Sequence, residues 1–487
     1  TYYLGKIIIG LGLAFIFPLV VALINQEVNP AFDFAISCVI GLIIGLILVV
    51  LCKTKEGLNW MQGMSLVGLS WLAAMALGAI PLFLSGHWLS YLDACFDAMS
   101  GFATTGLVLV QDLDHLALSH NFWRHLMMFI GGQGIVIVAL SFFVRSLSGA
   151  FKMYVGEARD ERVLPNVVHT AQFIWLVSIV YLVLGSTILA CVAQFEGMTK
   201  GASIFHGLCI FMAAFDTGGF APQSQNILYY HSFAFELVTI SLMILGAINF
   251  KLHYSLWTGN KKEIFKNIET VTFFISVIVL FSFAAIGIQK SGIYPEAFAL
   301  FRKGFYQIIS AHSGTGYMTI YAKQFIRHWP GLAFICVIMA MSLGGSTCST
   351  TGGIKLLRLD IFFKAMVGEI NKIMLPESSV LVQKFHHIKE VVLEDKQVRS
   401  SLLIFLMYLG LYIVGTVVGC LCGYSLPESL FESVSAGANV GLSCGITSSS
   451  MPALLKITYI FQMWVGRLEF VSIFTLFGVI VAAIKGR

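Results

Sequence analysis

Four short segments of the sequence share one spacing of glycine and small residues. They read CFDAMSGFATTGL (95–107), LCIFMAAFDTGGF (208–220), FYQIISAHSGTGY (305–317) and LFESVSAGANVGL (430–442). Each contains a glycine that aligns with the other three, namely Gly106, Gly219, Gly316 and Gly441. Four glycines in one register indicate a repeated backbone conformation that other residues rarely adopt. Backbone of that kind can turn carbonyl oxygens toward one axis, where they could replace the hydration shell of a cation.

The composition is typical of a membrane protein. Of the 487 residues, 57% are hydrophobic and only 11% are charged, whereas soluble domains are about 25% charged. An ordinary soluble enzyme, a disordered chain and a disulfide-rich secreted module are therefore excluded. The net charge of +5 is too small and too dispersed for nucleic-acid binding. The ten cysteines lie in apolar stretches and lack metal-ligand spacing.

Ten stretches are apolar and long enough for a spanning helix, which needs about 20 residues. They lie near 4–25, 33–52, 62–84, 123–148, 170–195, 229–250, 269–289, 329–343, 400–423 and 456–484. The glycine segments between them are too short to span, so we expect re-entrant half-helices. The sequence therefore predicts an all-α polytopic membrane protein. It has four outer helix–pore loop–inner helix repeats in pseudo-fourfold arrangement, after a leading helix pair.

Lysine and arginine orient these units in the membrane. The predicted units are 1–60 (leading pair), 61–150 (repeat 1), 151–267 (repeat 2), 268–370 (repeat 3), 371–399 (cytoplasmic linker) and 400–487 (repeat 4). Of the 30 basic residues, 21 fall on one side, in the N-terminus and the loops near 53–55, 145–169, 251–267, 355–399 and 485–487. Because cytoplasmic loops carry the basic excess, we expect both termini in the cytoplasm. The half-helices then enter from outside.

A second glycine lies inside each predicted inner helix. These residues, 25 to 28 positions after the first glycines, are Gly131, Gly246, Gly344 and Gly466. Small residues in membrane helices commonly serve close helix packing. The shared offset favours a repeated kink or gate point, and both interpretations stay open.

The stretch MSLGGSTCSTTGGIK (341–355) interrupts the eighth predicted span. Its glycine, serine and threonine content disfavours a continuous helix, and a Walker phosphate-binding spacing is absent. Arg467 lies within the last span, where an arginine costs about 2.5–3.5 kcal/mol on insertion scales. It could form a salt bridge within the bundle or between subunits, or place its charge beside the loop as part of a cytoplasmic-side barrier.

The chain resembles the Trk/Ktr/HKT superfamily of potassium transporters, specifically the bacterial Trk membrane subunit. The matching stretches are SGFATTGL (100–107), FWRHLMMFIGGQGI (122–135), FDTGGFAP (215–222), SGTGYMT (313–319), GGSTCSTTGGIK (344–355), SAGANVGLS (435–443) and WVGRLEF (464–470). Leu107 and Asp216 depart from the pattern expected there. The resemblance implies one pore per protomer, a membrane dimer, and a cytosolic nucleotide-binding regulatory subunit.

The resemblance also assigns roles to residues. The selectivity filter comprises Thr104, Thr105, Gly106, Thr217, Gly218, Gly219, Gly314, Thr315, Gly316, Asn439, Val440 and Gly441. Potassium ions bind there at the carbonyls of Thr105, Gly218, Thr315 and Val440. The loop becomes an intramembrane gate, formed with Arg467 by Gly344, Gly345, Ser346, Thr347, Ser349, Thr350, Thr351, Gly352 and Gly353.

The function expected is potassium uptake across the cytoplasmic (inner) membrane, with potassium as the transported ion and no cofactor on this chain. The expected partners are membrane lipid, a second copy and the regulatory subunit, and no nucleic acid. One alternative is a monovalent-cation channel that passes both sodium and potassium. Another is a secondary transporter with broken helices, although such folds usually pair two halves rather than four quarters. A membrane enzyme is disfavoured because the sequence offers no convergent catalytic set.

Overall fold

The structure is a computed structural model that describes residues 1–54, 57–135, 153–155, 157, 166–376 and 382–486. The first helix of the leading pair consists of Tyr2–Ala14 and Ile16–Ile24, which are separated at Phe15. The second helix of the pair is Val28–Leu51. The described part of the chain is mostly helical. Its single sheet is an antiparallel hairpin of Lys384–His387 with Lys389–Val392.

The predicted order of outer helix, half-helix and inner helix is present four times, but the inner helices are only 12 to 16 residues long. The outer helices, numbered 1 to 4 by repeat, are Trp60–Leu84, Val167–Phe195, Ile268–Ser291 and Asp395–Leu421. Half-helices 1, 2 and 4 are Tyr91–Phe102, Lys200–Phe215 and Leu426–Gly437. Half-helix 3 is built from Ala297–Leu300, a π-helical turn at Phe301–Phe305, and Tyr306–His312. The inner helices are Leu118–Gln133, Phe233–Ala247, Gly331–Ser342 and Ala453–Arg467.

The inner helices differ from the continuous spans that the sequence predicts. Among the described residues, six helical segments of 23 to 29 residues are apolar enough to cross a membrane: the leading pair and the four outer helices. Inner helix 2 turns by 102° into Phe250–Trp257, and inner helix 4 turns by 113° into Val471–Ile484. The stretch expected to span the membrane at 456–484 is therefore a bent pair of helices and not one straight helix. The far end of the span expected at 123–148 lies outside the described residues.

Capping residues fix where the half-helices begin. Ser90 accepts a hydrogen bond from the backbone of Asp93, and Ser425 forms a reciprocal capping box with Glu428. From these starts the half-helices run into the core, and every residue of half-helix 1 from Asp93 to Phe102 is buried. Their carboxyl ends therefore meet in the interior of the bundle.

The segment after repeat 3 carries its own structure. The helix Leu356–Ile373 follows the interrupted span, and the hairpin 384–392 follows that helix. His386 of the hairpin lies 2.7 Å from a carboxylate oxygen of Glu263. The predicted linker 371–399 is thus partly folded against the base of outer helix 3. Some of the basic residues that supported the predicted orientation lie outside the described residues: Lys55, Arg145, Lys152, Arg159, Arg162 and Arg487.

Candidate ion-conducting site

Each half-helix ends in the same backbone turn. The N–H of the residue before the aligned glycine donates to the carbonyl five residues earlier, at 2.8, 2.8, 3.0 and 2.9 Å in repeats 1 to 4. The residue two before the glycine is left-handed every time: Thr104 (φ 49°), Thr217 (φ 50°), Gly314 (φ 70°) and Asn439 (φ 56°). The aligned glycines have φ between 72° and 97°, a region that disfavours side chains. The four segments therefore follow one path.

The four turns close into a ring. A methyl group on Gly106 would lie 2.3 Å from the carbonyl oxygen of Gly218. The same contact joins Gly219 to Thr315 at 2.0 Å, Gly316 to Val440 at 1.9 Å, and Gly441 to Thr105 at 1.9 Å. Each repeat touches the next, and the fourth returns to the first. The ring brings together the four carbonyls that the sequence assigns to potassium.

Side chains connect the turns as well. Asn439 Nδ2 donates to Thr105 Oγ1 at 3.0 Å and to the carbonyl of Met463 at 2.9 Å. Within repeat 3, the hydroxyls of Ser313 and Thr315 are 2.8 Å apart. These side chains are fully buried, where an unpaired polar group is costly. The bonds therefore hold the turns in place.

The second glycines lie against the ring's supports. Methyl groups on Gly131, Gly246 and Gly466 would lie 1.8, 1.9 and 2.1 Å from the carbonyl oxygens of Phe102, Phe215 and Gly437. Each of those carbonyls comes four residues before an aligned glycine. A methyl group on Gly344 would instead lie 2.0 Å from the carbonyl oxygen of Gly352. All four inner helices end within two residues of these glycines. Close packing and a helix break therefore occur at one place.

The predicted gate segment forms a closed loop. Gly344 N–H donates to Ile354 O at 2.8 Å, and Ile354 N–H donates to Ser342 O at 3.2 Å. These bonds bring the two ends of the loop together. Ser346 N–H then donates to Ala247 O at 2.9 Å, at the end of inner helix 2. The loop is thus fixed both to itself and to repeat 2.

The loop lies against the turns that carry the aligned glycines. The hydroxyls of Thr350 and Thr217 are 3.2 Å apart. A methyl group on Gly314 would lie 3.7 Å from the Cβ of Thr351. One on Gly352 would lie 2.7 Å from the Cβ of Asn439. Contacts of this kind in repeats 2, 3 and 4 place the loop across the inner end of the ring.

Arg467 supplies the contact to repeat 1. Its guanidinium donates to the carbonyl of Thr350 in the loop and to Thr104 Oγ1 at 3.2 Å. It also donates to the carbonyls of Gly131 at 2.8 Å and Gly132 at 3.1 Å. Glu469, two residues on, pairs with Arg358. Arg467 therefore joins the loop to the end of inner helix 1.

Two cavities lie on either side of this arrangement. The outer one, of about 90 Å³, is lined by aligned glycines of three repeats and by Asn226 and Met318. The inner one, bounded by Arg467, Lys355 and Thr351, measures about 20 Å³, which is space for about one water. The cavity that borders the aligned glycines is thus larger than the cavity beneath the loop.

Sequence reasoning missed Asn226. Its Nδ2 donates to Gly219 O at 3.2 Å, and its Oδ1 accepts from Met318 N–H at 3.1 Å. Asn226 therefore links the extended segments that follow the aligned glycines in repeats 2 and 3. Its positive φ of 56° favours asparagine, but no spacing in the sequence indicates this contact.

The long apolar helices and the four helix–loop–helix repeats define an α-helical, multi-pass membrane protein, and its relatives are ion transport proteins rather than enzymes. The chain belongs to the TrkH family of cation transport proteins, whose model matches residues 30–483. This confirms the family predicted from the glycine segments.

Named relatives cover most of the chain. The uncharacterized cation transporter MJ1485 of Methanocaldococcus jannaschii is 31% identical over 98% of this chain and 94% of its own. The Trk system potassium uptake protein TrkG of Escherichia coli is 27% identical over 84% of this chain and 82% of its own. The crystal structure of the potassium transporter TrkH from Vibrio parahaemolyticus shares the fold, with a TM-score of 0.82, 22% identity and 97% coverage of both chains.

Proposed function

We propose that this chain takes up potassium ions across the cytoplasmic membrane through the ring of Thr105, Gly218, Thr315 and Val440 carbonyls. The observation that carries the proposal is the cyclic contact of each aligned glycine with the carbonyl of the next repeat. Carbonyls held around one axis can replace the hydration shell of a monovalent cation. The half-helices direct their carboxyl ends toward the ring, and the negative end of a helix dipole favours a cation.

The named relatives support potassium as the ion, because TrkG of E. coli is a potassium uptake protein by name. The competing proposal is a monovalent-cation pore that passes sodium as well. Glycine at all four aligned positions favours potassium, since each repeat can present its carbonyl without a side chain in the way. A secondary transporter would also use broken helices, and inner helices 2 and 4 are broken. The four-part ring favours the pore.

The loop 344–353 is proposed as the gate. Its bonds to inner helix 2 and Arg467 are hydrogen bonds rather than packed apolar contacts. Two arrangements of such a segment can differ by only a few kcal/mol. The fixed charge of Arg467 beneath the ring opposes an entering cation. The closed loop with its small inner cavity is thus the resting arrangement in this proposal.

A cytosolic nucleotide-binding subunit is proposed to move the gate, and a second copy of the chain to complete a membrane dimer. The helix and hairpin after the loop offer the surface, because Lys372, Lys384 and Lys389 are all exposed there. Reversing these three charges to glutamate should abolish co-purification of the regulator. The matched control reverses Lys200, Lys290 and Lys323, which are exposed near the half-helix side. Equal loss in both sets would contradict a specific docking surface.

Ion flux in proteoliposomes tests the main proposal. Uptake of K⁺, Rb⁺, Na⁺ and Li⁺ is measured with and without a proton gradient for the parent and for Gly441→Ser. The serine would meet the Thr105 carbonyl, so K⁺ over Na⁺ discrimination should fall. Gly423→Ser is the control, because Gly423 has a similar positive φ of 92° but no neighbour within 4 Å. A parent that moves no K⁺, or an unchanged ratio in Gly441→Ser, would remove the filter assignment.

A further inference from the structure

Behind three of the four filter turns, a polar side chain reaches from the half-helix to the strand that leaves the filter. These side chains are Asp97, Gln307 and Glu432, and each lies nine residues before its aligned glycine. Each bonds the residue three after that glycine. None of the three was singled out by sequence reasoning, because one carboxylate or amide in a short helix has no distinctive spacing.

The bonds are direct. Asp97 Oδ1 accepts from the N–H of Leu109 at 2.6 Å. Gln307 Nε2 donates to Thr319 Oγ1 at 3.0 Å. Glu432 Oε1 accepts from the N–H of Cys444 at 3.0 Å. The same two positions of the repeat are thus joined in repeats 1, 3 and 4.

Glu432 holds the longest stretch of strand. Besides Cys444, its carboxylate accepts from Ser443 Oγ at 2.5 Å, Ile446 N–H at 3.3 Å and Thr447 Oγ1 at 2.7 Å. Ser443 and Thr447 also line the outer cavity above the filter. One buried carboxylate therefore sets the course of five residues at the outer mouth.

Repeat 2 lacks both halves of the bond. Ile210 is the residue nine before Gly219, and Pro222 is the residue three after it. Proline has no N–H to donate, and isoleucine has no polar atom to accept. Pro222 instead accepts a bond at its carbonyl from Asn121 Nδ2 at 2.9 Å. The polar side chain is therefore absent in the one repeat whose partner residue, Pro222, has no backbone N–H.

All three side chains are fully buried, with no exposed surface. Placing a carboxylate or amide in an apolar core is costly unless its bonds are made. Apolar residues of similar size would fill the same space at lower cost. Their presence at one register in three repeats thus indicates a role that packing alone does not supply.

We infer that Asp97, Gln307 and Glu432 are positioning residues that fix the filter from behind and so set its discrimination between K⁺ and Na⁺. This inference rests on the proposed function, since it assigns selectivity to the ring. A carbonyl ring discriminates between ions only if its size and its field are maintained. Each bond restrains the strand three residues beyond the filter glycine, so its loss lets the neighbouring carbonyl turn away from the axis.

The test replaces the side chains by methionine, which is apolar and of similar length. Glu432→Met removes four hydrogen bonds to a carboxylate and should lower the K⁺/Na⁺ uptake ratio in proteoliposomes at least about tenfold, the order expected for losing even one charge-assisted hydrogen bond. Gln307→Met removes one neutral bond and should lower it about threefold. Ile210→Met is the matched control at the same register of repeat 2 and should leave the ratio unchanged.

Conservative variants separate positioning from folding. Gln307→Glu can still bond Thr319 by accepting from its hydroxyl, so it should retain the parent ratio. The uptake ratio does not depend on how much folded protein is present, whereas a merely structural role would reduce uptake of both ions equally. Monodisperse methionine variants with the parent ratio would overturn the inference. Gly441→Ser measured alongside distinguishes this outcome from failure of the filter itself, because that variant alters the ring without touching Glu432.

Discussion

Asn439 and Thr105, 334 residues apart in the sequence, are joined by a 3.0 Å hydrogen bond from Nδ2 to Oγ1. The bond runs beside the contact of Gly441 with the Thr105 carbonyl. The first and last filter segments are thus tied by side chain and by backbone. Asn439 is left-handed, with φ of 56°, a conformation that asparagine tolerates better than most residues.

Asn439→Gly is predicted to weaken ion discrimination without preventing folding. Glycine adopts the left-handed backbone readily, so only the two side-chain bonds are lost, at a net cost of about 1 kcal/mol each. The K⁺/Na⁺ uptake ratio should fall severalfold. Thr105→Ser retains the hydroxyl and should match the parent. A Gly variant that discriminates as well as the parent would show that the backbone contact alone closes the ring.

Gly246→Ala is predicted to destabilise the protein strongly. The added methyl would lie 1.9 Å from the Phe215 carbonyl oxygen, and backbone cannot yield as a flexible side chain does. We expect a loss of about 3 kcal/mol, at the upper end for overpacking. Thermal unfolding in detergent measures it. Gly201→Ala is the control in half-helix 2, because nothing lies within 4 Å of Gly201, and its melting temperature should not fall.

Arg467→Ala is predicted to raise basal ion flux and to reduce dependence on the regulatory subunit. The change removes the bonds that join Thr350 to inner helix 1, and it removes the charge that opposes a cation. Shortening the loop 344–353 should act in the same direction. Arg327→Ala, on the exposed surface, should change nothing. The direction of the change in flux is decisive, because damage to a buried site would lower flux. A well-folded Arg467→Ala protein that conducts no faster than the parent would place the barrier elsewhere.

The contact between His386 and Glu263 predicts a pH-dependent hairpin. The hydrogen bond to Glu263 raises the pKa of the His386 imidazole above its ordinary value. A raised pKa means that the contact stabilises the folded hairpin fully below pH ~6.5 and weakens as pH rises through the folded-state pKa. At low pH, amide exchange across residues 384–392 should therefore be slower in the parent than in His386→Gln. As pH rises above this range, the two rates should converge. Exchange that follows the variant at every pH would contradict the prediction.

The four repeated turns could be predicted from the sequence because their geometry depends on residue type. A positive φ at Gly106 and its three equivalents favours glycine, so the alignment of the four repeats can be recognised from their glycines in the sequence. The expected half-helices follow from length alone, since segments such as 93–105 are too short to span.

The break in inner helix 4 could not be predicted in this way. Residues 456–484 are apolar on both sides of Glu469, so the hydropathy pattern predicts one spanning helix. The break occurs where Glu469 and Phe470 take positive φ values of 49° and 71° while Glu469 pairs with Arg358. Arg358 belongs to the helix after the loop, 111 residues away, and a tertiary contact of that kind leaves no local pattern. The bonds of Asp97 and Glu432 span only 12 residues, and they were missed because one carboxylate in a short helix has no distinctive spacing of its own.

Closure of the ring between Gly441 and Thr105 has a consequence for biosynthesis. Translation produces the first quarter of the filter long before the last, so a nascent chain that ends before residue 437 holds three quarters and an open side. The ring therefore cannot close before Gly441 of the last repeat has been made. Until then the buried half-helix 1 lacks its neighbour from repeat 4, and incompletely assembled chains of this kind expose surface that favours misassembly.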